Sequence, residues 1–424
     1  MSRYDVVVVG AGLAGLTTAC RLAQAQKKVL LVSTGAGSLL LASGCVDVLG
    51  FQPGDSKQPV TNPLDKLDDF LAEAPDHPYK LIGKANVAGG IEAFWQLVNN
   101  NASLEYWGAA DRNWLLPTAA GAVHPTCLAP TSLANGDLSK GGSMLLVGFR
   151  ELRDYYPALI SQNLNEQNLG VETATVTIDA PAPIKDHLNI TPIELARAFE
   201  NSDFRRKVVQ ALKGKSNNYN RIGFPAVLGL KQHTEVLADL EKMLGKTVFE
   251  ISTLPPSAPG RRLFEGLKSA FLQAGGRIII GSRVVSGQIE NGQVKQLLFE
   301  TSNRLKPISA DYYVLATGGI YGGGIQTDLE GKVWEPIFGL PVTADENRHK
   351  WFAARFVSPT GQPVSQYGVE VNEHLNPVNG GQAPIAENLF VAGGTLAGAD
   401  WTRGRTGDGL ALASAEVITQ RITA

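Results

Sequence analysis

The stretch Tyr4-Asp5-Val6-Val7-Val8-Val9-Gly10-Ala11-Gly12-Leu13-Ala14-Gly15-Leu16 decides the fold. Its first half is a β-branched run with no polar alternation after Asp5, as expected of a parallel strand buried on both faces. The second half is a G-x-G-x-x-G turn. Apolar residues then recur at helical spacing (Leu16, Ala19, Leu22, Ala23), and residues 28–32 supply a second strand. A glycine turn in a strand–helix–strand unit of about 30 residues is the dinucleotide-binding arrangement. Gly10 permits the tight turn, Gly12 admits a phosphate to the backbone, and Gly15 lets helix and strand close up. The helix amides and dipole attract the anion.

One expected part is missing. A dinucleotide site usually ends its second strand in Asp or Glu, which accepts hydrogen bonds from the adenosine ribose. Here the strand runs into Ser33-Thr34-Gly35-Ala36-Gly37, and no acidic residue occurs between Asp5 and Asp47. No Lys or Arg lies between Val29 and Ser56 to meet an NADP phosphate. Two readings remain: Ser33 or Thr34 substitutes as a hydroxyl partner, or the ligand is a mononucleotide such as FMN.

Further along, residues 262–273 read as an amphipathic helix stopped by Gly275-Gly276. Strands are expected at 277–280, 284–289 and 294–300, with Glu290-Asn291-Gly292-Gln293 as hairpin chemistry. Residues 312–319 and 388–394 read as buried strands ending in Ala316-Thr317-Gly318-Gly319 and Ala392-Gly393-Gly394. Gly407-Asp408-Gly409 opens a helix running to Arg421. In the middle, 51–63 reads as a loop, carrying Pro53, Gly54, Pro59 and Pro63. A strand at 144–149, a helix at 152–165 and a strand at 172–178 follow. Thr191 or Asn189 caps a helix with Pro192 in its first turn, and 222–228 is a strand broken by Pro225.

Composition narrows the function classes. The chain has 424 residues, with 38 Lys and Arg against 40 Asp and Glu for a net charge of -2. No basic block is present to neutralise nucleic acid. Three cysteines (Cys20, Cys45, Cys127) without a Cys-x-x-Cys spacing exclude a four-cysteine zinc or iron–sulfur site, so any redox centre is organic and no metal site is expected. Apolar runs fall far short of the roughly 20 residues of a membrane span. The sequence enters a strand at once, without a charged and then apolar leader, which reads as a cytoplasmic protein.

The Ala-Thr-Gly-Gly and Ala-Gly-Gly strand ends, with the glycine-led helix after them, resemble the flavoprotein family with an N-terminal dinucleotide-binding fold. That resemblance implies flavin, with the helix N-terminus aimed at the pyrimidine ring. The family usually carries an acidic residue directly after the last strand's glycine, where Gly394 stands here. Read together, several segments resemble the family of B subunits of anaerobic glycerol-3-phosphate dehydrogenase. They are Val9 to Leu16, Ser43-Gly44 with Asp47-Val48-Leu49, Ala74-Pro75 with His77-Pro78-Tyr79, Thr253-Leu254-Pro255-Pro256-Ser257 with Arg262-Leu263, Gly323-Gly324, Glu335 to Pro341, and Gln366-Tyr367-Gly368-Val369. The resemblance implies FMN, with FAD as the alternative. It also implies an FAD-bearing A subunit, an iron–sulfur C subunit that docks the complex at the inner face of the cell membrane and feeds quinone, and glycerol 3-phosphate as substrate.

The expected architecture is α/β, a Rossmann-like FAD/NAD(P)-binding fold with an inserted substrate or cap domain. Residues 1–50, 251–320 and 386–424 are expected to bind flavin, with 51–250 and 321–385 inserted. The candidate cofactor set is Gly10, Gly12, Leu13, Ala14, Gly15, Ser33, Thr34, Ser43, Gly44, Val284, Ala316, Thr317, Gly318, Gly393, Gly394, Gly407, Asp408 and Gly409. Oxidising a secondary alcohol needs a base, for which His349, His124 and His374 are candidates, and Arg405 is a further catalytic candidate. A substrate phosphate needs cations, for which Arg348, Arg403 and Arg405 are candidates. A free-standing FAD oxidoreductase and a cofactor-free scaffold or electron relay are the rival readings.

Overall fold

The computed structural model describes every residue except 1–2, 53–54, 102–103, 186, 303, 357, 359 and 360. Its main elements, in chain order, are β1 (Tyr4–Val9), α1 (Leu13–Gln24), β2 (Val29–Ser33), α2 (Lys84–Asn99), β3 (Gly142–Phe149), α3 (Pro157–Glu166), β4 (Val171–Ile178), α4 (Pro192–Phe199), α5 (Ser202–Leu212), β5 (Arg221–Pro225), α6 (His233–Leu244), β6 (Thr247–Ile251) and α7 (Ala258–Gln273). Then follow β7 (Arg277–Ile280), β8 (Val284–Glu290), β9 (Gln293–Thr301), β10 (Arg304–Ile308), β11 (Ala310–Leu315), β12 (Leu389–Val391) and α8 (Gly407–Thr423).

Contacts divide the chain into two compact units, one of Met1–Ser38, Asp47–Leu97 and Leu267–Ala424, the other of Leu39–Val46 and Val98–Gly266. The first unit thus includes residues 51–97 and 321–385, which lie in the stretches expected to be inserted. The first unit is built on a parallel sheet in the order β7-β2-β1-β11-β12. β1 is central, with Val8 in register with Leu31 on one side and Val314 on the other. Its Val6, Val7 and Val8 are fully buried, which is why the run lacks polar alternation. The helix α8 is buried almost all round, from Leu410 to Thr419, and packs on α1. A helix apolar on every face belongs in an interior. Arg21 of α1 pairs with Glu416 of α8. β8, β9 and β10 form a separate antiparallel sheet, and Asn291 and Gly292 turn between its first two strands at φ of 50° and 69°. Both positive values mark the turn type that the Asn-Gly pair suits.

The second unit has its own parallel sheet, ordered β4-β3-β5-β6. Phe149, Phe199, Phe204 and Phe224 pack edge to face in its core, with centroids 5.2–6.0 Å apart where they cross. A buried polar network sits beside them. Glu250 at the end of β6 accepts both Arg262 Nη1 and Nη2, at 2.7 and 2.9 Å, and Leu228 N–H at 2.7 Å. Ser132 Oγ lies 2.8 Å from Glu250 and 3.0 Å from His233 Nε2, while His233 Nδ1 lies 2.7 Å from the Leu228 carbonyl oxygen.

Several boundaries differ from the sequence expectation. The helix read from 152 starts at Pro157, because a residue before proline avoids helical dihedrals and proline itself suits the first turn. Thr191, not Asn189, caps α4, in a reciprocal capping box with Glu194. β5 ends at Pro225 rather than running to 228. Phe51–Gln52 pairs with Asp55–Pro59 as a small hairpin where a loop was expected. Pro53 and Gly54 of that loop lie outside the described residues.

Candidate functional site

The carboxyl ends of β1, β11 and β12 bring the glycine clusters together. At the first, Gly10 adopts φ +112°, donates its N–H to the Val32 carbonyl at 2.9 Å, and passes so close to Ala316 that a β-carbon would meet the Ala316 carbonyl oxygen. Gly12 is the N-cap of α1 without a side-chain cap, the first turn holds no acidic residue, and nothing lies within 4 Å of where a Gly12 β-carbon would stand. The amides of Leu13, Ala14 and Gly15 thus begin a helix whose first-turn donors have no intrahelical acceptor, beside open space. Together these features fit a phosphate.

Ser33 and the loop after it answer the missing carboxylate. Ser33 Oγ accepts from Ala11 N–H at 3.2 Å and from Gly35 N–H at 3.3 Å, and donates to the Gly35 carbonyl at 2.6 Å. Its hydroxyl is therefore engaged in shaping the turn. Gly37 folds back on Gly12, where its β-carbon would stand 3.0 Å from the Gly12 Cα. Thr34 is exposed beside them.

At the ends of β11 and β12, Gly319 abuts Gly394, and Thr395 Oγ1 donates to the Gly318 carbonyl at 3.2 Å. Thr317 Oγ1 lies 3.4 Å from Thr395 Oγ1. Gly393 adopts φ +62°, its N–H bonded to Ser414 Oγ at 3.0 Å, and a β-carbon there would stand 3.0 Å from that of Ala14. The turn after β1, the end of β12 and the body of α8 are thereby in one place.

The start of α8 is held by the segment following residue 46. Asp47 carbonyl accepts Gly409 N–H at 2.9 Å, and Asp47 N–H reaches Asp408 Oδ2 at 3.4 Å. Arg405, at φ +54°, donates from Nε to Asp47 Oδ2 at 2.9 Å. Burial, and then the neighbouring Asp47 charge, push the Asp408 carboxyl up to about 7. Gly407 opens the helix, and Gly409 has no room for a side chain because Tyr79 Oη stands in the way.

Other expected residues lie elsewhere. Arg348 and His349 are exposed on a one-turn helix, where Arg348 donates to the Leu329 carbonyl at 2.7 Å and lies over the Trp351 ring. Val284 opens β8, in register with Phe299 of the antiparallel sheet. Ser43 and Gly44 belong to the second unit, where Gly44 carbonyl accepts Tyr106 Oη–H at 2.6 Å. His124 is buried in the second unit, and His374 lies 3.6 Å from its neighbour Glu373 in the first. Arg403 Nε is buried with no hydrogen-bond partner among the described residues. Sequence reasoning assigned no role to Asp47, His77 or Tyr79, although all three stand in segments that carry the family resemblance.

The FAD binding domain family matches residues 5–410 of this chain. The B subunit of anaerobic glycerol-3-phosphate dehydrogenase from Pectobacterium carotovorum subsp. carotovorum is 33% identical over 99% of this chain and 98% of that protein. The chain belongs to this B-subunit family. Its Vibrio cholerae relative of the same name is 29% identical over 100% of this chain and 97% of that protein. Among solved structures, 3-ketosteroid delta1-dehydrogenase from Sterolibacterium denitrificans aligns over all of both chains with 10% identity and a TM-score of 0.48. As a member of the B-subunit family the chain is a flavin-dependent oxidoreductase with an α/β flavoprotein fold. Among the described residues no helix is long and apolar enough to cross a membrane.

Proposed function

We propose that this chain is the flavin-binding subunit of a quinone-linked glycerol-3-phosphate dehydrogenase complex. It takes part in oxidising sn-glycerol 3-phosphate to dihydroxyacetone phosphate and passes electrons, with an FAD-bearing A subunit, to a membrane-anchored iron–sulfur C subunit. Its place is then the cytoplasmic side, held peripherally at the inner face of the membrane through that partner. The names of its relatives and the phosphate-ready turn at Gly12 support this reading.

The cofactor is FMN, with FAD the alternative. One observation carries the choice: Ser33, at the position of the usual ribose carboxylate, has its hydroxyl engaged with Ala11 and Gly35, while Gly37 lies against Gly12. An adenosine half would find the Ser33 hydroxyl already engaged and would be left with the exposed Thr34 in that turn. A flavin, when bound, supplies acceptance of hydride from a secondary alcohol and release of electrons. The residues of the chain do the rest. The amides from Gly12 to Gly15 hold the phosphate, and the first turn of α8 presents its positive end. Asp408, in the first turn of α8 and with its carboxyl raised by burial and by the neighbouring Asp47 charge, is assigned the hydroxyl proton. Arg403 and Arg405, directly before α8, are the cations assigned to the substrate phosphate, ahead of the exposed Arg348 and His349.

Heat release of the cofactor followed by chromatography tests the assignment. FMN is the expected product, FAD reverses the mononucleotide reading, and a colourless chain that takes up no added flavin overturns the function. Bleaching of the flavin band by glycerol 3-phosphate in the isolated chain places substrate binding here. Bleaching only after partner subunits are added makes the chain a relay.

A further inference from the structure

His77 and Tyr79 lie in a short motif, His77-Pro78-Tyr79, that has no place in the phosphate cradle. Both are buried, at 3% and 0% exposure. Burial pushes the His77 imidazole down to about 3, so it is neutral at physiological pH. Tyr79 N–H donates to His77 Nδ1 at 3.2 Å, which leaves the ring proton on Nε2. That proton faces Thr406 Oγ1 at 3.0 Å. Tyr79 Oη–H is shared between the carbonyls of Thr406 and Val48, each at 3.1 Å. Phe70 closes the His77 ring edge to face, with centroids 5.1 Å apart.

Thr406 is the N-cap of α8 yet makes no side-chain cap bond to the helix, because its hydroxyl points to His77 instead. The residue before it, Arg405, is held in the left-handed region, which a non-glycine residue rarely adopts without support. His77 and Tyr79 grip the threonine from its side chain and its carbonyl, and Asp47 grips Gly409 three residues later. The angle at which the first helical amides leave this turn is fixed by these contacts.

We propose that His77 and Tyr79 are positioning residues that aim the amino terminus of α8, and through that aim raise the reduction potential of a flavin bound beside it. The second half of this statement rests on the functional reading above. The physical link is the partial positive charge of the helix start, which favours the more negative reduced ring only while it is directed at it.

The full chain is measured with and without flavin. Without flavin, His77→Leu should speed amide hydrogen exchange at Gly409 and Leu410 about tenfold by loosening the turn locally. His77→Gln, with an acceptor and a donor on one amide, should restore slow exchange. With flavin bound, His77→Leu should weaken the preference for reduced over oxidised flavin about tenfold, read as a midpoint about 30 mV lower for a two-electron couple. His77→Gln should recover it. Tyr79→Phe keeps the ring, removes the hydroxyl donor and should act in the same direction, which serves if His77→Leu does not fold. Unchanged exchange in a folded variant overturns the positioning role. Faster exchange at an unchanged midpoint overturns the link to the flavin. A wild-type chain that holds no flavin overturns the functional reading instead, and the exchange data still decide the clamp.

Discussion

Gly15 approaches Gly10 so closely that a β-carbon on Gly15 would run into the Gly10 carbonyl oxygen. Three residues earlier Gly12 faces open space. The two glycines of one motif therefore differ: Gly15 is demanded by packing, whereas Gly12 is the one the proposed ligand would need.

Substitution separates them. Gly15→Ala should destabilise the chain by about 1–3 kcal/mol through overpacking, seen in urea unfolding. Gly12→Ala has backbone dihedrals open to alanine, with φ -76°, and should leave the unfolding midpoint nearly unchanged. Its methyl group would project into the open space where the proposed cradle would hold the phosphate, so flavin retention should fall at least tenfold. Equal flavin retention in Gly12→Ala and wild type would count against the cradle.

The Glu250–Arg262 pair is buried, and Glu250 is 1% exposed. Burial alone would raise its carboxyl, but the Arg262 and His233 charges outweigh that and hold it at about 2. Glu250→Gln removes one partner and leaves the guanidinium uncompensated. A loss of about 3–5 kcal/mol is expected in denaturant unfolding. A loss below about 1 kcal/mol would mean the pair is solvated in solution.

How much of this was legible beforehand depends on sequence distance. The first strand, glycine turn and helix could be read because they are consecutive, and α8 because its glycines and apolar residues are contiguous. Three of the four parallel strands of the second unit, β3, β4 and β5, were read from the sequence and β6 was not, and Pro157 and Pro225 moved the boundaries of their neighbours. The clamp could not be read, since His77 and Thr406 are 329 residues apart. The same holds for Ser132 and Glu250, 118 residues apart. A polar side chain carries no periodic signal that names its partner. Gly409 held a trace of the answer, because a glycine inside a helix needs a reason, and here the reason is Tyr79.

Stability should follow pH through two opposed contributions. His77 and His233 are held by burial at about 3 and about 4, below their ordinary 6.5, so the unfolded chain binds protons that the folded one refuses. Their contribution is complete above pH 6.5 and is lost as pH falls toward 4. Asp408 is raised from 3.8 to about 7, so its contribution is complete below 3.8 and is lost as pH rises through 7. Between pH 4 and 6.5 the Asp408 loss offsets part of the histidine gain, so urea midpoints should rise only shallowly there and level off above about pH 7. Asp408→Asn should steepen the rise, and an unaltered slope would show that Asp408 does not oppose it.

Cys20 is buried, and burial pushes its thiol up to about 12. Its sulfur lies 3.3 Å from the Leu267 carbonyl oxygen. A thiolate-directed maleimide at pH 8 should leave Cys20 unlabelled in the folded chain and label it in urea, as peptide mapping would read. Rapid labelling under native conditions would mean that α1 opens locally.

The order of pairing in the parallel sheet bears on how the protein is made. β1 meets β2 within the first 33 residues, but its other neighbour spans Ala310–Leu315, and α8 begins only at Gly407. During translation at roughly 5–20 residues per second, an apolar strand edge awaits its mate for on the order of tens of seconds. A nascent chain with such an edge is a natural client for a ribosome-associated chaperone. Loading of the prosthetic group becomes a late event, after nearly the whole polypeptide has been synthesised.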